Sequence, residues 1–150
     1  MKNIFDPAVV DEFKNRIDSL NKKSKALWGK MNVAQMLAHC NISYELVYDN
    51  KLPKASTFHR FMMKLFVKKT VVGEKAYRKN SPTAPHFKID STKDFEYEKD
   101  RLILYIEKTA ELGPEYFDGK ESHSFGPLTR NEWNNYFYNH LDHHLRQFGV

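Results

Sequence analysis

"TRNEWNNYFYNHLDHHLRQF", residues 129–148, decides the fold class. Thr129 and Glu132 stand at the spacing of a capping box, in which the cap and the third helical residue satisfy each other's free N–H groups, so a helix starts here. At about 100° per residue, Trp133, Phe137, His140, Leu141, His144 and Phe148 fall within about 100° of arc. Asn135, Asn139, Asp142 and Arg146 take the opposite side. The spacing therefore predicts an amphipathic final helix with His140 and His144 toward the core. His143 lies about 60° beyond His140, at the edge of the stripe, and Asp142 points away.

Working outward, the same period recurs. Asp6 and Pro7 read as an N-cap and first helical residue, followed by Val10, Phe13, Ile17 and Leu20. Asn32 and Gln35 form a second capping box, and a helix over about 33–49 carries Val33, Met36, Leu37, Cys40, Tyr44 and Val47 on one face. Ala38 and Ile42 make it apolar over most of its circumference, which marks a central element. After the turn-like "KLPKAS" (51–56), Phe58, Phe61, Met62, Leu65 and Phe66 give a short basic third helix. The stretch from Val71 to Asp90 has little periodicity and reads as a long crossover with a short extended piece. A further helix begins after Ser91–Asp94, carries Leu102, Ile103, Ile106 and Ala110, and ends at Gly113–Pro114. These elements predict one all-α domain over residues 1–150, a four-helix bundle with an additional short basic helix and a long crossover loop. No alternating run is long enough for a substantial sheet.

The single cysteine, Cys40, excludes an internal disulfide and fits a reducing compartment. No segment has the apolar core of a signal peptide or the ~18 apolar residues of a membrane span, so a cytoplasmic protein is expected. The net charge of +5 is uneven: residues 51–88 hold ten Lys or Arg against one acid, Glu74. That segment can attract an anionic partner, or be merely solvated. Aromatic and basic residues do not alternate on strands, so no nucleic-acid platform is expected.

Two imidazoles at i and i+4 stand one turn apart and reach a common ion, the spacing of helical zinc sites. Burying two such rings without partners costs about 1 to 3 kcal/mol each, which either an ion or cross-bundle hydrogen bonds relieve. His39, in "QMLAHC" on the second helix beside Met36, Ser43 and Leu46, is the candidate third ligand. His123 sits in a loop that overhangs the bundle mouth, whereas His59 and His86 read as surface residues. There is no nucleophile elbow, glycine-rich phosphate loop, CxxC or HExxH. Cys40, mid-face, reads as a small buried hydrophobe rather than a nucleophile.

"WGKMNVAQMLAHC" (28–40) with "FGPLTRNEWNNYFYNHLDHHLRQFGV" (125–150) resembles the DinB-like, or YfiT-like, putative metalloenzymes, in a branch known only as a domain of unknown function. The resemblance implies an up-down-down-up four-helix bundle, often a homodimer. It also implies a divalent metal such as zinc, nickel or iron, held by His39, His140 and His144. Some characterised relatives use low-molecular-weight thiols for S-transfer or isomerisation, so the resemblance implies a small thiol or electrophile substrate, with the metal deprotonating the thiol. Trp28, His123 and His143 are candidates to line the opening. Two alternatives stand beside it: metal-dependent hydrolysis, and a non-enzymatic bundle whose basic segment docks an acidic partner or membrane surface.

Overall fold

A computed structural model describes residues 1–49 and 56–150, without the side chain of His59. The turn expected over 51–56 lies, except for Ser56, outside the described residues, as does the surface position expected for His59. The chain is mostly helical: α1 (Pro7–Asp18), α2 (Val33–Tyr48), α3 (Thr57–Phe66), α4 (Lys68–Val71), α5 (Phe95–Phe117) and α6 (Arg130–Gln147). Among the described residues the only strands are β1 (Glu121–Ser122) and β2 (Gly126–Pro127), a two-residue antiparallel hairpin before α6.

The helix starts are those the sequence encodes. Asp6 Oδ1 accepts from the Ala8 N–H at 2.9 Å, and full capping boxes form at Asn32/Gln35 and Thr129/Glu132. Asp94 caps α5, accepting from the Tyr97 N–H at 2.8 Å. Gly113 breaks α5 at φ 71° and ψ 168°, a backbone open to glycine, and helix resumes at Pro114 where no N–H is needed. The expected end of this helix is thus a kink, with one more turn beyond it.

Helix α2 packs against both α5 and α6, α1 against α5, and α5 against α6. Eleven of its residues between Val33 and Tyr44 are buried, as its apolar circumference requires. Tyr44 stacks between Tyr105 and Phe137, with ring centroids 5.5 and 4.9 Å away. Phe13, Ile17, Leu102, Ile106 and Leu145 are fully buried around them, each worth about 1.5–3 kcal/mol of apolar burial.

Two expectations about α6 are corrected. Asn139 is only 6% exposed, and its Nδ2 donates to Gly73 O at 2.9 Å. Asp142 pairs with Arg16 of α1 at 3.0 Å rather than facing open water. For Asn139 the reason is the crossover, which folds over α6 and presents carbonyls that no helix satisfies, and Asn135 meets another at Val72 O (3.0 Å). No strand forms within it among the described residues; a 3-10 turn, Pro85–Phe87, stands between extended backbone at Ala84 and Lys88.

Candidate metal centre

His39 reaches from α2, and His140 and His144 from successive turns of α6. One ring nitrogen from each lies within 4.8 Å of those of the other two. The His39 and His140 Nε2 atoms are 2.9 Å apart, and the His144 ring centroid is 4.4 Å from that of His39. Each outer nitrogen has a partner. His39 Nδ1 lies 2.8 Å from Phe87 O in the 3-10 turn, an acceptor only, so Nδ1 carries the proton and Nε2 keeps its lone pair. His144 Nδ1 lies 2.8 Å from Gln147 Oε1, whose Nε2 in turn donates to Trp28 O at 2.7 Å. His140 Nδ1 lies 2.7 Å from the Ser43 hydroxyl, one turn beyond His39.

Burial keeps these imidazoles neutral. Desolvation lowers His39 and lowers His140 well below the usual histidine range, and it takes His144 down to about 3. The neighbouring imidazoles push the same way for all three. Neutral rings oriented through Nδ1 by a carbonyl, a hydroxyl and an amide oxygen are the form in which histidine ligates metals. Ligands at about 2.1 Å in a tetrahedral site stand roughly 3.4 Å apart. His39 and His140 Nε2 are 2.9 Å apart and the three nitrogens all lie within 4.8 Å of one another, close enough for the donor set to hold a metal ion.

A family model described as "Protein of unknown function (DUF1569)" matches residues 6–149, which takes in all three histidines. The chain belongs to that family. Among curated proteins and among solved structures, the comparisons give no match.

In this DUF1569 member the three imidazoles border a cavity of about 920 Å³. Trp28, His123 and His143 are among the residues that line it. The His143 ring is 5.8 Å from Trp28 and 5.0 Å from His144, but it does not join the three-nitrogen cluster. His86, read from sequence as a surface residue, is corrected: it is half-buried, lines the cavity, and its ring lies 5.6 Å from His123. Proline at 85 turns the chain so that both His86 and Phe87 come against the site. Phe87, Tyr77 and Tyr136 surround His140 at centroid distances of 5.7, 6.4 and 6.5 Å.

Cys40 is 1% exposed, and burial pushes its thiol far above the ordinary range, so it is packing and not a nucleophile. Sequence reading missed Ser43, Gln147 and the Phe87 carbonyl. Ser43 was legible, since it shares the arc of His39 at i+4. Gln147 was legible only in part, at i+3 from His144. A backbone acceptor in an aperiodic crossover has no residue signature at all.

Among the described residues, no helix is long and apolar enough to cross a membrane.

Proposed function

We propose that this protein holds one divalent transition-metal ion, zinc, nickel or iron, through His39, His140 and His144, and uses it on a small thiol in the cytoplasm. In this reading α1, α2, α5 and α6 form the DinB-like bundle, residues 1–150 are one domain, and the protein works as a homodimer. The observation that carries the proposal is that one nitrogen from each ring clusters with the others while every Nδ1 has a fixed partner. Hydrogen bonds across a core need not converge in this way; ligands must.

Between His39 and His140 one proton suffices. His39 donates through Nδ1, so its Nε2 accepts from the His140 Nε2–H, and His140 Nδ1 accepts from Ser43. If His140 changes tautomer, giving up the Nε2 proton and taking one on Nδ1, its ring stays neutral, two lone pairs face one point, and Ser43 switches from donor to acceptor toward His140. Three neutral nitrogens leave a coordination position vacant; a bound divalent ion lowers the pKa of a thiol or water placed there. His143 and Trp28, which line the same cavity, then flank the incoming group.

Elemental analysis of tag-free protein, loaded and desalted, should give one metal per chain, lost in His140→Ala and His144→Ala. A parent protein that retains none defeats the reading. On loaded protein, small thiols should raise the melting temperature, as any ligand of the native state does. A metal-dependent but thiol-indifferent protein would point to hydrolysis instead.

A further inference from the structure

Helix α3 is turned inside out. In an ordinary surface helix the apolar stripe faces the core. Here Phe58, Phe61, Met62, Leu65 and Phe66, which fall within about 140° of arc, are 74, 57, 37, 58 and 70% exposed. The opposite side holds the helix down: Arg60 pairs with Glu121 of the hairpin at 2.6 Å, and half-buried Met63 packs on the core. Just beyond, Lys68 pairs with Glu132 of α6 at 2.7 Å. The outward apolar face is therefore set by specific contacts on the other side. Five adjacent large apolar side chains form the kind of contiguous patch that marks an interaction surface.

Charge selects the occupant. Residues 56–88 carry eight Lys or Arg and one acid, Glu74, with Lys64 and Lys69 exposed beside the patch. Pairing this face with a second copy brings two such cationic segments together. An anionic bilayer complements both features at once, since phenylalanine and leucine enter the acyl boundary while lysine meets the headgroups. We infer that α3 docks this protein on an anionic lipid surface. Met63 and Phe66 also line the cavity, so docking sets the cavity rim beside the bilayer. The inference is independent of the metal.

Flotation of the full chain with vesicles tests it, using phosphatidylcholine alone or with phosphatidylserine. The anionic vesicles should carry the protein, the neutral ones far less. Binding should fall steeply in about 1 M salt, where the Debye length is about 3 Å. Phe61→Glu with Leu65→Glu should reduce partition at least about tenfold, because buried apolar area sets the binding strength. Lys64→Glu with Lys69→Glu should do likewise, which guards against misfolding of the first variant. His140→Ala should float like the parent. Equal binding to neutral vesicles, unchanged flotation of both double variants, or sedimentation as a dimer split by Phe61→Glu/Leu65→Glu would each overturn it.

Discussion

The Nδ1 of His39 lies 2.8 Å from the carbonyl oxygen of Phe87, forty-eight residues away along the chain. This contact fixes the tautomer of a helix residue by means of an irregular segment. It also makes the crossover part of the site rather than a tether between helices.

The Gln147 amide should behave as a supporting group for the metal. Its Oε1 orients His144, so Gln147→Leu is expected to weaken metal affinity about 10–100-fold, the usual cost of losing an outer partner. Competition titration with a chromophoric chelator measures this. An unchanged affinity would mean that packing alone orients His144.

Gly29 supplies a second route to the same effect. It sits at φ +83°, and a Cβ there would meet Gln147 Nε2 at 2.4 Å. Gly29→Ala should displace the amide and lower metal affinity. Gly119→Ala is the control: its φ is +73° with no neighbour within 4 Å, so it carries backbone strain without the displacement. Both should lose stability on denaturant unfolding, and only the first should lose metal affinity.

Metal-free protein should weaken in acid in a defined window. His144, held down to about 3, is neutral when folded but takes up a proton near 6.5 when unfolded. Its contribution is thus fully present above pH 6.5 and is lost as pH falls from there toward 3, by about 1.4 kcal/mol per pH unit. His39 and His140 are lowered as well and add to the slope. Urea unfolding of chelator-treated protein at pH 7.5, 6 and 5 should show the midpoint falling, and less steeply in His144→Ala. A midpoint flat between pH 7.5 and 5 contradicts the burial argument.

On the far side of α2, Glu98 is 5% exposed and accepts from Asn41 Nδ2 at 2.8 Å and Arg101 Nη1 at 3.0 Å; Arg101 also pairs with Glu45. Arg101→Met leaves a buried carboxylate without its cation, a change that costs about 3–5 kcal/mol in such sites. Metal affinity should hold while the melting temperature drops. Loss of both together would show that this network supports the metal site across α2.

Much of this was written in local sequence. Capping boxes at Asn32 and Thr129 and the proline after Asp6 are short-range signals, because a helix end is satisfied by residues three or four positions away, whereas Gly113–Pro114 reads as a helix end and folds as a kink. The inward arc of His140 and His144 follows from helical pitch alone, and so does the place of His39 beside Ser43. Pitch fixes which residues share a side; it does not fix what that side meets. Asn139 and Asp142 were legible as the polar face of α6, yet the folded chain covers that face with the crossover and with Arg16. Likewise α3 was legible as an amphipathic helix, but only the ion pair from Arg60 to Glu121 and the packing of Met63 turn its apolar side outward. The trio of histidines was available from spacing and resemblance. Their tautomers were not, since hydrogen bonds to a distant carbonyl and to an amide anchored on Trp28 exist only once the chain has closed.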